Sequence, residues 1–295
     1  MHEARTAIIT GAASGLGRAI AVALAERGWR LALADVDVEG AEETGALVRA
    51  AGGEARVEQL DVSRFEAWQS LVARLQAQWP RLDLLVNNAG VSCAGEVGLV
   101  TMDDWRWIVD TNLFGVIHGC HACVEWLKQN PSGARIVNVS SVAAFASAPM
   151  MAAYNVSKAG VLALSETLYA ELRPHGVGVT VVCPGFFSTN LLTSGRFLTD
   201  EQREAAAWYM QRANISASDV AAATLRGMDR GQLYVVVPWR ARLAWRLKRL
   251  WPRGLLKLLS ANYGRQLRRS AAVREQPQAA AAACGGPSDT PSCSA

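Results

Sequence analysis

Long apolar runs are missing from this 295-residue chain. None reaches the roughly 18 uncharged apolar residues that a membrane-spanning helix needs. No apolar leader comes before the first strand-like residues, Thr6-Ala7-Ile8-Ile9, so a cytoplasmic protein is expected. A disulfide scaffold is absent as well. Cys93, Cys120, Cys123, Cys183, Cys284 and Cys293 follow no such pattern, and a reducing compartment disfavours bridges. Cys120 and Cys123, with His118 and His121 beside them, have a metal-like spacing, but cysteines three apart in an apolar helical stretch read more simply as small core residues. No metal is expected. Acidic residues are missing from one long segment: Arg230 to Arg274 holds 12 Lys/Arg and no Asp/Glu, so the rest of the chain carries 18 basic against 26 acidic groups. The basic character belongs to that segment alone.

What is present is a composition of 51% hydrophobic and 19% charged residues, which fits one large globular domain with appendages. No internal repeat is visible. Strand-like Thr6–Thr10 runs into Gly11-Ala12-Ala13-Ser14-Gly15-Leu16-Gly17 and then a helical pattern over 18–27. That layout suits a phosphate, because glycines let the backbone approach it and a helix N-terminus offers unpaired N–H groups. A second strand over 31–34 ends at Asp35, eighteen residues past Gly17. There a carboxylate can accept from both ribose hydroxyls and repel the extra phosphate of NADP; the plainer reading is a turn cap.

The alternation continues. A helix over 38–51 stops at Gly52-Gly53, a strand over 55–60 ends at Asp61-Val62, and Ser63 is expected to cap a helix that runs to about Trp79. A strand over 82–86 leads into Asn87-Asn88-Ala89-Gly90, and one long helix is expected over 102–128, containing Asn112. Further strands are expected over 134–140, 177–182 and 233–237, with a helix over 154–175. The expected fold is α/β, a Rossmann-type doubly wound parallel sheet of about seven strands, with the glycine turn, Asp35, Asp61, Asn88 and Ser141 at strand C-terminal ends. The segment 186–212 reads as strandless and rich in apolar side chains, among them Phe186, Phe187, Leu191, Leu192, Trp208 and Tyr209. It is either a substrate lid, over about 186–215, or core filling.

Tyr154 and Lys158 are four residues apart and share a helix face. A cation held beside a phenol favours the phenolate, so the expectation is a Tyr154 pKa drawn down from roughly 10. Ser141 is placed to bond the same substrate oxygen.

With Thr10-Gly11-x-x-x-Gly15-x-Gly17, Asn87-Asn88-Ala89-Gly90, Asn112, Ser141, Tyr154-x-x-x-Lys158 and Pro184-Gly185 in order, the chain resembles the short-chain dehydrogenase/reductase family over roughly residues 5–240. The resemblance implies a nicotinamide-dependent oxidoreductase acting on CH–OH groups, with Asn112, Ser141, Tyr154 and Lys158 as its catalytic set. It also implies a dinucleotide held by Gly11, Ser14, Gly15, Leu16, Gly17, Asp35, Asp61, Val62, Asn88, Ala89, Gly90, Tyr154, Lys158, Pro184, Gly185, Phe187 and Thr189. Ser14 and Val36 stand where NADP-preferring relatives usually have a basic residue, which with Asp35 points to NAD; Arg18 lies past the turn but within reach of a phosphate. The expected substrate is a small apolar alcohol or carbonyl compound such as a steroid, retinoid or lipid. A homo-oligomer through the Asn112 and Tyr154 helices is a further implication. The alternative from another class is a non-catalytic dinucleotide-binding module, regulatory or membrane-associated.

The catalytic domain is expected to cover 1–238, followed by a basic amphipathic helical extension over 239–269 and a disordered tail over 270–295. Over 239–259, Trp239, Leu243, Ala244, Leu247, Leu250 and Trp251 share one helix side and Arg242, Arg246, Lys248, Arg249 and Arg253 the other, with Arg240 and Trp245 as exceptions. Pro252 and Gly254 are expected to bend this helix. It suits peripheral contact with the inner face of an anionic membrane; the alternative is packing on the protein with a solvated basic face. Nucleic acid is not an expected partner.

Overall fold

The computed structural model describes residues 4–187, 195–213, 215–265 and 268. Its first half runs β1 (Thr6–Thr10), α1 (Gly15–Ala25), β2 (Arg30–Asp35), α2 (Val38–Ala50), β3 (Glu54–Gln59), α3 (Phe65–Gln76), β4 (Leu84–Asn87) and β5 (Cys93–Ala94). Next come α4 (Met102–Val109), a π-helical turn (Asp110–Phe114), α5 (Gly115–Lys128), β6 (Arg135–Val139), α6 (Ala143–Ala146) and α7 (Ala152–Leu172). Last are β7 (Gly178–Pro184), β8 (Arg196–Phe197), α8 (Asp200–Gln211), α9 (Ala217–Asp229), β9 (Tyr234–Val237) and α10 (Trp239–Leu250).

Seven strands form one parallel sheet in the order β3-β2-β1-β4-β6-β7-β9. This is the expected Rossmann architecture. Strand order reverses between β1 and β4, which opens a crevice at their C-terminal ends. Both faces of the sheet are covered, so β1 and β4 are buried at every position, with apolar side chains running from Ala7 to Ile9 and from Leu84 to Val86. Successive β1 side chains feed opposite layers: Ile8 packs with Trp68, Leu71 and Leu85, and Ala7 and Ile9 with Ile20, Leu24 and Leu225.

Four local expectations change. The single helix over 102–128 is divided by the π-turn, which seats Asn112 fully inside the protein. Ser63 does not cap α3; its N–H and hydroxyl both go to Asp61 Oδ1, at 3.0 and 2.6 Å, and the helix starts after Arg64. The segment expected to be strandless contains β8, which pairs in parallel with β5. The helix over 239–259 ends at Leu250, since Pro252 has no N–H to continue it but suits a helix start. A signal missed altogether is the reciprocal Ser216/Asp219 capping box that opens α9.

A first unit extends to Leu250, and a second begins at Trp251. In the second, a helix covers 252–265 and the Trp251 indole lies over Gly254. The disordered tail expected over 270–295 lies outside the described residues, as do Ser188, Thr189, Leu191 and Leu192 of the proposed lid.

Candidate active site

The turn between β1 and α1 is shaped by what cannot fit in it. Gly11 and Gly15 adopt φ of +64° and +53°, a region that favours glycine. A Cβ on Gly11 would sit 2.7 Å from Asn88 Nδ2, and one on Gly17 would strike the Gly11 carbonyl. Side chains are thereby excluded from a cradle between the turn and the Asn88 loop, with Ser14 at the N-cap of α1 and Leu16 turned into the core. The Asn88 loop is fixed from β1: Asn88 Nδ2 donates to Thr10 O at 2.9 Å and Gly11 O at 3.1 Å, and Thr10 Oγ1 accepts from the Asn88 and Ala89 N–H groups at 3.0 and 3.1 Å. Thr10 stands in the glycine-turn motif but was given no role from sequence; a hydroxyl on the last strand residue before the turn is the signal that was available.

Asp35 ends β2 beside this cradle. One carboxylate oxygen accepts from Ala13 N at 2.9 Å and the other from Asp37 N at 3.1 Å, which aims the group across the turn. The bond from Asp37 N is the turn cap of the plainer reading, while the N-cap of α2 is Asp37. Arg18 is committed elsewhere: its guanidinium bonds Thr44 Oγ1 at 2.9 Å and Glu43 at 2.8 Å, besides the Ala13 carbonyl. Val62 packs against Gly115 at the head of α5, and Asp61 binds Ser63.

The residues at the centre of the site come from β6 and the turn after it, the π-turn and α7. Tyr154 and Lys158 are buried in the first two turns of α7, with Lys158 Nζ 5.9 Å from the Tyr154 ring centre and donating to the Val139 carbonyl at 2.9 Å. A Cβ on Gly90 would lie 3.3 Å from that nitrogen, so this glycine keeps the space before the ammonium open. Ser141 follows β6 and its Oγ accepts from Ala143 N at 3.1 Å. Ser140 Oγ donates to the Lys158 carbonyl at 2.7 Å and ties α7 to this strand. Asn112 Oδ1 accepts from Val91 N at 2.7 Å, and its Nδ2 donates to Val91 O at 2.9 Å and Ser157 Oγ at 3.2 Å. Ser157 in turn donates to Tyr154 O at 2.9 Å. The Asn112 amide is thus a clamp between the β4–β5 loop and the tyrosine helix, with both N–H groups spent. Ser157, Ser140 and Val139 escaped the sequence reading because their roles depend on strand-to-helix contact.

The electrostatics differ from expectation in one respect. Burial pushes the Tyr154 phenol up, and a hydrogen bond with Ser141 only partly offsets this. The expected lowering by Lys158 is not among the effects on the phenol, and burial pushes Lys158 itself down to about 8, against a smaller opposing effect from Cys183. Cys120 is buried in the core, where desolvation pushes its thiol up to about 12, as expected of a packing residue.

Pro184 and Gly185 complete the edge: Val142 N donates to Pro184 O at 2.9 Å, and Gly185 N to Val237 O at 2.7 Å. Phe187 packs on the α1-side core, while Phe186 is exposed. Thr189 lies outside the described residues. The glycine turn, Asp35, Asp61, Asn88 and Ser141 are therefore all at the C-terminal edge of one sheet, as expected, and Pro184 joins them at the end of β7.

A family model described as short chain dehydrogenase matches residues 5–196. The chain belongs to the short-chain dehydrogenase/reductase family. Among proteins similar to this family member, one named "Probable oxidoreductase EphD", from Mycobacterium tuberculosis, is 38% identical over 198 residues, 66% of this chain. The match spans only about a third of that protein's length, 33%. The 3beta-hydroxysteroid dehydrogenase 1 of Eggerthella lenta is 33% identical over 223 residues, 75% of this chain and 85% of that one. A short-chain dehydrogenase/reductase crystal structure from Burkholderia phymatum, in complex with NAD, superposes with a TM-score of 0.79 at 32% identity, covering 84% of this chain and 93% of that one.

Proposed function

We propose that this family member is an NAD-dependent oxidoreductase that interconverts an apolar secondary alcohol and its ketone, or a primary alcohol and its aldehyde. The observation that carries the reading is the convergence of Ser141, Tyr154 and Lys158 beside a glycine cradle with no room for side chains. When bound, NAD supplies a nicotinamide carbon that accepts or returns hydride. Tyr154 takes the hydroxyl proton during oxidation and gives it back during reduction. Ser141 donates a hydrogen bond to the substrate oxygen, where charge develops. Lys158 holds the nicotinamide ribose and favours the phenolate. Asn112 keeps the tyrosine helix in register through Val91 and Ser157. Thr189 and the Phe187 backbone are assigned to the carboxamide, Asp61 and Val62 to the adenine, and Asn88 to Gly90 to its ribose side.

NAD is favoured over NADP because the Asp35 carboxylate stands at the end of β2 beside the cradle, where it would repel a second phosphate, and Arg18 is held by Glu43 and Thr44. The related Burkholderia phymatum structure holds NAD. Asp35→Ala shifts preference toward NADP by roughly tenfold or more, since losing an acceptor for a hydroxyl costs about 1–3 kcal/mol. Dissociation constants for both dinucleotides check this; tighter NADP binding by the unmutated protein refutes it.

The substrate is assigned as apolar, in keeping with the steroid enzyme among the relatives. The segment 195–213 carries the half-exposed Leu198 and Trp208. Its base is tied down by Arg196 N donating to Ser92 O at 2.9 Å, next to Cys93, which packs in the Tyr154 cluster. We assign this segment as the lid. In a screen of NAD reduction over secondary alcohols of graded length, kcat/KM rises about fourfold per methylene, from about 0.8 kcal/mol each. A profile flat in chain length removes the apolar pocket.

The same proposal places the protein in the cytoplasm, at the inner face of a membrane that it contacts through 239–259, with 239–269 as an extension of the 1–238 catalytic domain. It forms a homo-oligomer through the Asn112 and Tyr154 helices, where Phe114 and Val156 are exposed.

A further inference from the structure

Helix α10 leaves its most apolar side chains in water. Within the first unit it packs through Ala241, Ala244 and Trp245, against Phe145, Val181 and Val236. Trp245 lies against Tyr234, with ring centres 5.2 Å apart, and the Arg249 guanidinium sits 4.7 Å from the Trp245 ring centre. The Tyr234 hydroxyl donates to Glu166 of α7 at 2.6 Å, and Arg242 Nε donates to Val236 O at 2.8 Å. Trp245, an exception in the sequence pattern, is thus the anchor that fixes which way the helix faces. The other side shows Trp239, Leu243 and Leu250, which are 65%, 53% and 84% exposed. At about 100° per residue these three fall within about 40° of one another, and the row they form is about 16 Å long.

Charge decides what can cover this row. Helix α10 carries Arg240, Arg242, Arg246, Lys248 and Arg249 and no acidic residue. A second copy laid face to face would set like charges against each other, whereas an anionic surface attracts every one of them. Exposed tryptophan and leucine with arginine alongside suit the boundary between headgroups and acyl chains. Among the described residues no helix is long and apolar enough to cross a membrane, so such a helix lies along the surface.

We infer that the Trp239, Leu243 and Leu250 face of α10 docks on an anionic lipid bilayer. Helix α10 starts immediately after β9, whose last residue Val237 accepts from Gly185 N, and its Ala241 packs near α6, the turn that follows Ser141. The docked face therefore holds the catalytic edge of the sheet at the lipid surface, where an apolar alcohol concentrates. The inference rests on the membrane contact proposed above and not on the Tyr154 chemistry.

Flotation of the full chain with phosphatidylglycerol/phosphatidylcholine vesicles tests it, against phosphatidylcholine alone and at low and high salt. The chain is expected to float with the anionic vesicles at low salt and to be released at high salt. Trp239→Ser/Leu243→Ser/Leu250→Ser lowers binding by about tenfold or more, while turnover of a water-soluble alcohol is unchanged. Arg240→Gln/Arg246→Gln weakens binding and its salt dependence. If the full chain stays in solution with anionic vesicles at low salt, both the membrane contact and this face are overturned. If the triple-serine variant floats as well as its parent, the membrane contact stands and this face is overturned. Loss of oligomers in that variant, seen by light scattering without any vesicle binding by the parent, overturns the proposal in favour of a contact between copies.

Discussion

Tyr154→Phe lowers kcat by roughly 100- to 10,000-fold, the usual contribution of a positioned acid or base. NAD binding persists, because the glycine cradle and Asp35 do not touch the phenol oxygen. The fold persists too. The substitution removes a buried hydroxyl whose pKa is already pushed up by desolvation, and Ser141 keeps the Ala143 N–H as a partner at 3.1 Å. Steady-state kinetics with an identified alcohol, an NAD titration and a melting curve check the three parts together. Near-normal turnover in the variant rules out Tyr154 as the proton carrier.

Lys158→Met has opposite effects on activity and stability. Turnover falls by about 100-fold or more, as the cation that favours the phenolate is lost. Stability of the NAD-free protein rises near neutral pH. Burial pushes the Lys158 pKa from 10.5 down to about 8, so between those values the unfolded chain holds a proton that the folded chain has released. The penalty for burying the ammonium is therefore fully present below pH 8 and fades as pH rises toward 10.5. Its size is on the order of 3 kcal/mol. Losing the Lys158 hydrogen bond to Val139 O returns about 1 kcal/mol of that. Urea denaturation should find the variant about 1–3 kcal/mol more stable than its parent at pH 7, with the gap closing by pH 10. A variant less stable than its parent at pH 7 contradicts this account of Lys158.

The two substitutions separate what was readable in the chain from what was not. That Tyr154 and Lys158 share a helix face follows from their spacing, and their burial at the head of α7 agrees with it. The direction of the Tyr154 shift did not follow, because the sequence shows a nearby cation but not how much water burial removes. Asn112 was readable as a site residue by resemblance only. Its clamp to Val91 and Ser157 depends on a π-turn, and a helix interrupted by one extra residue keeps the composition of an unbroken helix.

The C-terminal helix shows the same limit. Periodicity put Trp239, Leu243, Ala244 and Leu250 on one side, but Ala244 packs while the other three are exposed, and an apolar side is usually expected to be the packed one. Here Ala241, Ala244 and Trp245 pack instead, through contacts with residues of α6, β7 and β9 that no local pattern contains.

By itself, then, the sequence determined the seven-strand parallel sheet, the glycine turn, and the collection of Asp35, Asp61, Asn88 and Ser141 at one edge. These are set by local periodicity and by the rule that parallel strands present their C-terminal ends together. Only the tertiary structure decided the π-turn at Asn112, the β5–β8 pairing, the commitment of Arg18 to Glu43 and Thr44, and the outward face of α10. Each of these depends on partners distant in the chain or on desolvation, and neither is encoded in the spacing of neighbouring residues.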